Sequence, residues 1–297
     1  MFRTRIGEVE VLRVEEMLTP GFDPGFLFPD YDAEVLKQHP QLAQPNFYDE
    51  ASGKLMSSMH SWMLRVGRHV ILIDTACGND KVRSHPAFAR FHQLHRPYLD
   101  RLAECGVLPE DVTLVINTHL HVDHVGWNTR LQEGRWVPTF PNARYLMGRA
   151  ELAHWRDPEG GLKGHPMGAE VLVDSVDPVI EAGLVDLIDF DEEFLPGLTV
   201  QAMRGHTAGQ LAVHLRSGGQ TALFTGDTFH QPMQVYRPDW CSRFCESPEV
   251  ANATRRALFE QAAETNAVLF PAHAGVPHAG HIRRRGTDYQ FVPLEGV

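Results

Sequence analysis

The chain has 297 residues, is 43% hydrophobic and carries a formal net charge of −11 at pH 7. This length allows one large domain or two small ones. The acidic balance argues against nucleic acid or an anionic membrane surface as a main partner, because both attract a basic face.

Cysteine content and the N-terminus bear on the compartment. The chain has only four cysteines, too few for a disulfide framework at this length, and we interpret them as buried thiols or thiols that support a metal ligand: Cys77, Cys105, Cys241 and Cys245. The first residues lack the apolar core of a signal peptide, and no run of 18 apolar residues is present. We therefore expect a cytoplasmic protein.

The N-terminal part predicts a strand, an irregular arm and a hairpin. Residues 8–17 alternate loosely and favour an opening strand, whereas residues 19–53 interleave prolines and glycines with aromatic residues. We interpret this arm as surface packing, as a lid or as a homodimer arm. Residues 61–66 and 69–73 predict a hairpin. The pattern over 96–105 predicts a helix that stops at a glycine.

The apolar run 112–117 predicts a buried strand that leads directly into three histidines and an aspartate. His119 and His121 are two positions apart, so extended backbone would point them the same way. Asp123 and His124 follow after the chain has turned. Imidazole nitrogen and carboxylate oxygen are ligands that zinc accepts. The stretch predicts a metal site at a strand end, with a metal-free polar loop as the alternative.

The remaining elements are predicted from shorter patterns. Residues 144–147 favour a strand, 149–155 the start of a helix, and 157–166 a loop; 174–190 favour a helix and a short strand. Later strands are expected at 198–203, 211–215, 221–224 and 267–270. Ser247, Pro248 and Glu249 predict a helix start with Ser247 as its cap, and this helix should end near Thr265.

The two halves of the chain repeat one plan, in which a strand ends in Asp, a helix follows, and the next strand ends in His. Asp74 and His119 hold these positions in the first half, and Asp227 and His273 hold them in the second. The repeat predicts two sheets face to face, helices outside them, and polar residues gathered at one edge.

This pattern resembles the metallo-β-lactamase-fold hydrolases, whose motif is His-x-His-x-Asp-His, then a distant His, an Asp and a final His. The matching positions are His119, His121, Asp123, His124, His206, Asp227 and His273. The resemblance implies an α/β fold, a four-layer αββα sandwich of two mixed sheets with outer helices. It also implies a single domain over residues 1–297, with the arm at 19–53 as a part of it.

The resemblance further implies two bound divalent metal ions, expected to be zinc. One ion would be held by His119, His121 and His206. The other would be held by Asp123, His124 and His273, and Asp227 would bridge the two ions. A bridging hydroxide would attack a lactone or related ester. Asp74 would support the histidine cluster and Asp123 would relay the released proton.

His230 lies three residues after Asp227, and its predicted role is to donate a hydrogen bond to developing negative charge. A structural imidazole is the alternative. Quorum-quenching lactonases of this fold often have Tyr at that position, whereas methyl parathion hydrolases are similar to this chain in having His there and a long gap before the distant His.

We therefore expect a metallohydrolase acting on a small-molecule substrate, with a lactonase or esterase as the leading class. Hydrolysis of phosphotriesters is the alternative enzyme, because the same metal pair serves several electrophiles. A non-hydrolytic metal-binding or redox protein on the same fold is the alternative from a different class. The arm at 19–53 and the loop at 157–168 are expected to shape the pocket wall.

Overall fold

The structure of the protein, a computed structural model, describes residues 2–42, 47–161 and 165–294. Residues 43–46 of the predicted arm and residues 162–164 of the predicted loop lie outside the described residues. The chain divides into two compact units. The first consists mainly of Arg3–Met17 and Met59–Glu192, and the second mainly of Leu18–Ser58 and Glu193–Val297.

Strands outnumber helices in the described parts of the chain. The described strands are β1 Arg3–Ile6, β2 Val9–Pro20, β3 Tyr48–Asp49, β4 Lys54–Val66, β5 His69–Ile73, β6 Leu114–Asn117, β7 Thr129–Gln132, β8 Arg135–Pro138, β9 Arg144–Gly148, β10 Val185–Ile188, β11 Glu193–Leu195, β12 Leu198–Ala202, β13 Leu211–Ser217, β14 Gln220–Gly226, β15 Val268–Pro271, β16 Gly280–Arg285 and β17 Asp288–Pro293. The described helices are α1 Pro24–Leu27, α2 Glu34–Gln38, α3 Tyr98–Glu104, α4 Arg149–Arg156, α5 Gly168–Val171, α6 Asp177–Glu181, α7 Met233–Tyr236 and α8 Pro248–Thr265. Between α5 and α6 the chain forms a π-helical turn, Leu172–Val176.

The sheet of the first unit is mixed. Its spatial order is β1-β2-β4-β5-β6-β9-β10, with β3 beside β4. The pairs β1/β2 and β4/β5 are antiparallel, whereas β5, β6, β9 and β10 run parallel to one another. The parallel strand β6 is buried over Val115, Ile116 and Asn117, as its apolar sequence predicts.

The sheet of the second unit is also mixed, and it follows the chain from β11 to β17 without a change of order. Its neighbours are antiparallel except β14 and β15, which are parallel. The connection between β14 and β15 contains α8, as a parallel pair requires a crossover. The predicted class, an α/β fold with two mixed sheets and helices, is therefore confirmed.

The repeated plan that the sequence predicts is present in both units. In the first unit β5 ends just before Asp74, β6 lies parallel beside it, and His119 follows the end of β6. In the second unit Asp227 follows β14 and His273 follows the parallel strand β15. The carboxyl ends of parallel neighbours share one sheet edge, so each Asp and His pair is placed at one edge of its own sheet.

Several hairpins were not predicted, and two of them are the pairs β7/β8 and β16/β17. The turn between β7 and β8 is made by Glu133 and Gly134, whose φ angles of +51° and +76° suit a tight hairpin. At the C-terminus, β16 and β17 pair from Gly280↔Pro293 to Arg285↔Asp288. The strand β16 ends in three charged residues, Arg283, Arg284 and Arg285. Its sequence therefore lacks the alternating apolar residues by which a strand is predicted.

The predicted arm packs within the second unit. Five apolar side chains of the arm belong to a buried core cluster: Leu27, Phe28, Val35, Leu42 and Phe47. The same cluster contains residues of α7, α8 and β17. Trp240 lies against two aromatic rings of the arm, 6.2 Å from Phe28 and 5.5 Å from Tyr31 between centroids. These contacts correspond to the packing interpretation, while the lid and homodimer-arm alternatives stay predictions.

The predicted helix after Ser247 is present as α8, and it buries Leu258, Phe259 and Ala262. It ends at Asn266, which takes a left-handed conformation with φ of +51°. Ser247 holds the N-cap position, but its side chain makes no capping hydrogen bond. The predicted cap is therefore wrong in its bonding and right in its position. No helix in the described ranges is both long and apolar enough to cross a bilayer.

Candidate metal centre

The first unit carries a cluster of three buried histidines, His119, His121 and His124, directly after β6. The ring centroid of His119 lies 4.6 Å from that of His121 and 4.0 Å from that of His124. The Oδ1 atom of Asp123 lies 3.8 Å from Nε2 of His124. We call these four residues the first-unit cluster. Every member carries a nitrogen or oxygen donor of the kind that zinc accepts.

Asp74 holds the first-unit cluster from the end of β5. Its Oδ1 accepts the Thr118 backbone N–H at 2.7 Å, and its Oδ2 accepts the Thr118 hydroxyl at 2.8 Å. The same Oδ2 lies 2.8 Å from Nδ1 of His124, which donates to the carboxylate. Because the proton is then on Nδ1, the lone pair of His124 is on Nε2, where a metal ion binds. Asp74 thus has the supporting contacts that the resemblance implies.

Thr118 gives His119 the same tautomer as His124. Its hydroxyl donates to Asp74, so it can only accept from Nδ1 of His119, which lies 3.1 Å away. This arrangement places the proton of His119 on Nδ1 and leaves Nε2 as the donor atom for a metal.

Glu151 on α4 anchors the first-unit cluster from behind, and the sequence analysis missed it. Its buried Oε1 accepts the Leu120 backbone N–H at 3.0 Å and the Trp155 indole N–H at 2.8 Å. A buried carboxylate with two donors fixes the backbone between His119 and His121. A single Glu in a helical segment carries no motif, so no sequence signal identified it.

Glu16 on β2 is a second buried carboxylate that the sequence analysis missed. It accepts the backbone N–H groups of Cys77 and Gly78 at 3.0 and 2.9 Å, and the Trp127 indole N–H at 2.7 Å. Burial raises the pKa of Glu16, and these hydrogen bonds oppose that effect. Glu16 thereby ties the loop after Asp74 to the residues that follow His124.

The loops after β5 and β6 pack backbone against backbone at Gly126. A Cβ atom added there would lie 1.9 Å from the carbonyl carbon and oxygen of Cys77. The partner loop has Gly78 with φ of +78°, a conformation that favours glycine. Only glycine allows the two loops to approach this closely, and their approach holds Asp74 against His124.

His121 lies between two aromatic side chains. Its ring stacks on His165 at 4.6 Å between centroids and meets Trp155 edge-on at 5.7 Å. Burial lowers the pKa of His165 to about 4, so this imidazole is neutral at pH 7. His165 was placed in the predicted loop 157–166 and was not recognised as a residue of the site.

The second unit gathers three imidazoles around one carboxylate, that of Asp227. Nε2 of His206 lies 3.3 Å from Oδ2, Nε2 of His230 lies 3.2 Å from Oδ2, and Nε2 of His273 lies 3.0 Å from Oδ1. All four side chains are buried. We call His206, Asp227 and His273 the second-unit cluster, with His230 in contact with it.

The ring orientations in the second-unit cluster are set by hydrogen bonds at Nδ1. His273 donates from Nδ1 to the Ser58 carbonyl oxygen at 3.1 Å. Nδ1 of His206 lies 3.5 Å from Sγ of Cys245. In both residues Nε2 faces Asp227, so the proton on Nδ1 leaves the metal-facing nitrogen unprotonated. Cys245 thus has a contact of the kind expected of a ligand-supporting thiol, and this role stays a prediction.

The loop that carries His206 depends on Gly205. Its φ is +120°, and an added Cβ would lie 2.2 Å from the Ala251 backbone nitrogen at the start of α8. Two residues just before α8 donate backbone hydrogen bonds to this loop. Glu246 N–H donates to the His206 carbonyl at 3.0 Å, and Ser247 N–H donates to the Gly205 carbonyl at 2.9 Å. The start of α8 therefore fixes the position of the backbone at His206.

His230 is held on both sides. Its backbone N–H donates to Gln234 Oε1 at 2.6 Å, and Phe28 lies edge-on at 6.5 Å between centroids. Burial lowers the pKa of His230 although Asp227 raises it. The contact with Asp227 makes His230 part of the site, and its role towards developing charge stays a prediction.

The donor chemistry of the predicted ligands fits a borderline divalent ion. All seven belong to groups of His and Asp whose ligand atoms have the spacing that a metal ion needs. Hydrogen bonds at Nδ1 orient His119, His124, His206 and His273, as is usual for metal-bound histidine. These groups of His and Asp are consistent with a dinuclear metal site, and the role of each ligand stays a prediction.

Comparison with known proteins adds a family match. The model of the "Metallo-beta-lactamase superfamily" matches residues 58–273, which is more than half of the chain. The chain therefore belongs to the metallo-beta-lactamase superfamily, as the resemblance implied. It shares the α/β fold of that family and its hydrolase character. No curated protein matches this sequence.

Solved structures with this fold cover nearly the whole chain. The hydrolase AbOPH of the beta-lactamase superfamily aligns with a TM-score of 0.81 and 23% identity, over 100% of this chain and 98% of that one. AidC, a dizinc quorum-quenching lactonase in complex with a product, has a TM-score of 0.79 and 19% identity, over 99% and 97%. A probable metal-dependent hydrolase from Staphylococcus aureus has a TM-score of 0.80 and 18% identity, over 99% and 100%. At these identities the likeness concerns the fold.

Proposed function

We propose that this protein is a dinuclear zinc hydrolase that opens a lactone or cleaves a related ester. The observation that carries the proposal is the buried Asp227 carboxylate with the Nε2 atoms of His206 and His273 at 3.3 and 3.0 Å. Asp227 would be the carboxylate that the two ions share. The first-unit cluster supplies the remaining donors.

The proposed ligand sets are those implied by the resemblance. One ion is assigned to His119, His121 and His206. The other is assigned to Asp123, His124 and His273, and Asp227 is shared by both. When bound, divalent ions supply Lewis acidity, which polarises a carbonyl group and makes water nucleophilic near neutral pH. The protein's own part is to keep each Nε2 unprotonated and each ring in place.

Asp123 is the proposed proton acceptor of the reaction. Its side chain is 15% exposed, whereas that of His124 beside it is only 1% exposed. A carboxylate that reaches solvent can take a proton from the attacking water and release it to bulk water. His230, whose Nε2 lies 3.2 Å from Oδ2 of Asp227, is proposed to donate a hydrogen bond to negative charge on the substrate.

A lactone is preferred because AidC, which has the same fold, is described as a dizinc quorum-quenching lactonase with a homoserine product bound. An uncharged small-molecule substrate also agrees with the acidic chain, whose net charge of −11 would repel anions. The similarity between the two chains is one of fold, so the substrate class is a proposal that needs a direct test.

The test is a hydrolysis panel on the zinc-loaded protein. It compares lactones of several ring sizes, aryl esters, a phosphotriester and a β-lactam, with the metal-stripped protein as the matched control. We expect the highest kcat/KM on a lactone or ester and a loss of turnover without metal. Highest turnover of the phosphotriester would favour the alternative enzyme. An absence of hydrolysis, with bound iron and visible absorption, would favour the redox alternative.

A further inference from the structure

The second unit contains a cavity of about 310 Å³ whose lining includes none of the proposed metal ligands. Its walls come from three segments that lie far apart in sequence: the arm, the end of α7 and the hairpin of β16 and β17. Small-molecule sites in proteins begin at about 300 Å³. The cavity is therefore large enough for a small organic molecule.

The arm and α7 form one wall of the cavity, and hydrogen bonds hold its side chains in place. The ring of His39 stacks on that of Tyr236 with 3.9 Å between centroids, and Gln41 donates from Nε2 to the Tyr236 hydroxyl at 3.2 Å. Arg237 donates from Nη2 to Oε1 of Gln38 at 2.7 Å and from Nη1 to the Tyr236 carbonyl at 3.0 Å. A guanidinium has five N–H groups, so Arg237 has further donors for a ligand.

The C-terminal hairpin forms the opposite wall. Arg285 pairs with Asp288 across the two strands, and Gln290 lies two positions after Asp288, so the three side chains share one face of the hairpin. All three line the cavity. Within residues 2–42, 47–161 and 165–294, the Arg285 guanidinium and the Gln290 amide have no side-chain hydrogen-bond partner. Their N–H donors are thus available to a ligand that has acceptor oxygens.

The charges that line the cavity favour an anion. Arg237 and Arg285 contribute two guanidinium groups against the single carboxylate of Asp288. Burial and the neighbouring Arg237 lower the pKa of His39, so its imidazole is neutral at pH 7. The whole chain is acidic, but salt screens charges beyond about 8 Å, and the local groups decide what binds here. The planar fork of arginine matches the oxygens of a carboxylate or a phosphate.

The rings that line the cavity favour an aromatic ligand. They belong to His39, Tyr236 and Tyr289. Tyr289 is held by Phe259 of α8, which meets it edge-on with 6.2 Å between centroids. Aromatic side chains bind another ring by stacking or by edge contacts. The cavity thus combines donors for an oxyanion with surfaces for a flat ring.

We propose that this cavity is a binding site for a small aromatic oxyanion, in which a carboxylate or phosphate-type group is attached to a ring. Arg237 and Arg285 bind the oxyanion, and the three rings contact the ring of the ligand. Asp288 limits the affinity through its negative charge. The site does not depend on the proposed function, because none of its residues is a proposed metal ligand.

Binding at this site stabilises the second unit. The ligand contacts the arm, α7 and the hairpin at once, and this arrangement of the three segments exists only in the folded chain. A ligand that binds the folded state alone raises the free energy of unfolding by mass action.

The first test is calorimetric titration of the intact metal-loaded protein with four probes. Benzoate and phenylphosphonate carry a ring with a carboxylate or a phosphate-like group, and the tighter of the two identifies the oxyanion that the site prefers. Inorganic phosphate lacks the ring and benzyl alcohol lacks the charge, so each should bind about 10-fold more weakly or worse. Equal affinity for phosphate or benzyl alcohol, or no binding of either aromatic anion, would overturn the proposal.

The second test places the anion in the cavity by substitution. Arg285→Gln should lower the affinity for the preferred probe about 10-fold, because a charge-assisted hydrogen bond is lost. Asp288→Asn should raise the affinity, because it removes a like charge. Arg216→Gln, at an exposed arginine of β13 outside the cavity, is the matched control and should bind as wild type does. Binding at the metal centre is common to all these variants and cancels from the comparison.

Metal content and circular dichroism should be the same in all three variants, which shows that the fold is kept. The preferred probe should also raise the Tm of wild type and of Arg216→Gln by more than that of Arg285→Gln. An affinity or a Tm shift that Arg285→Gln leaves at the wild-type value would place the anion elsewhere and overturn the proposal.

Discussion

Four histidines that are proposed metal ligands each have a hydrogen-bond partner at Nδ1, and these partners are four different chemical groups. The partners are the Asp74 carboxylate, the Thr118 hydroxyl, the Ser58 carbonyl and the Cys245 thiol. Each leaves Nε2 as the donor atom, so the rings are oriented before any ion arrives. Such preorganisation lowers the cost of binding, because rotamers and tautomers are already selected.

Asp74→Asn tests the support of the first-unit cluster. An amide presents a hydrogen instead of a lone pair to either Thr118 or Nδ1 of His124, and the tautomer of His124 is no longer imposed. We expect metal affinity to fall about 10- to 100-fold with the fold retained. Metal titration by calorimetry measures it, with Asp186→Asn, on an exposed carboxylate, as the control. An affinity equal to wild type would remove Asp74 from this role.

Asp227→Asn tests the shared carboxylate. The substitution keeps the volume and removes the charge that the three imidazoles face at 3.0 to 3.3 Å. We expect the loss of at least one metal ion per chain and most of the turnover, while circular dichroism stays unchanged. Turnover at the wild-type level with both ions bound would rule out the bridging role.

His230→Phe separates positioning from structure. Phe fills the space beside Phe28 but cannot hydrogen-bond to Asp227, which His230 approaches at 3.2 Å. We expect kcat to fall more than KM changes, with metal content intact. His230→Gln, which keeps a donor, should recover part of kcat. If both variants have wild-type kinetics, His230 is a structural imidazole only.

At this scale the sequence identifies residues that form a motif and misses those that do not. Asp74 and Asp227 stand out because each ends an apolar strand at a place that the other half repeats. Glu16 and Glu151 are equally buried but are single carboxylates on distant elements. Their importance follows from which N–H groups they meet in three dimensions, and no spacing encodes that.

At the scale of elements, the parallel strand pairs position the donors and the glycines permit the close approach of the loops. β5 with β6 and β14 with β15 each bring an Asp and a His to one edge of a sheet. These pairs were predictable because buried parallel strands have continuous apolar sequences. The C-terminal hairpin of β16 and β17 was not, because its exposed arginines mask the alternation.

Gly126→Ala tests the approach of the two loops in the first unit. The new methyl group would lie 1.9 Å from the backbone of Cys77, so one loop must move. We expect a destabilisation of about 1–3 kcal/mol or more, together with weaker metal binding. Gly25→Ala is the matched control, because its Cβ meets only a side-chain oxygen at 3.4 Å. Urea unfolding compares the two variants, and equal stability would contradict the role of Gly126.

At the scale of the whole molecule, we expect stability to depend on pH through a buried lysine in the first unit. Lys81 donates to the Thr129 hydroxyl at 2.8 Å and to the Asp174 carbonyl at 3.0 Å, and lies over the Trp136 ring at 3.8 Å. Asp174, in the π-helical turn, also binds Arg83 at 2.5 Å. Burial lowers the pKa of Lys81 from 10.5 to about 7.

The sign of this dependence follows from proton binding. Between pH 7 and 10.5 the unfolded chain keeps the Lys81 proton and the folded chain does not. The free energy of unfolding therefore rises with pH through this window, by at most about 1.4 kcal/mol per pH unit. Lys81→Met should remove this contribution. Urea unfolding between pH 7 and pH 9 checks it, and a wild-type-to-variant difference that stays constant with pH would contradict it.

The protein is proposed to bind a pair of divalent ions through its His and Asp donors. The most direct measurement is the metal content of the zinc-loaded, dialysed chain by plasma mass spectrometry, with Asp227→Asn measured alongside. Two zinc ions per wild-type chain and fewer in the variant are expected. No retained metal, or the same content in both proteins, would contradict the account.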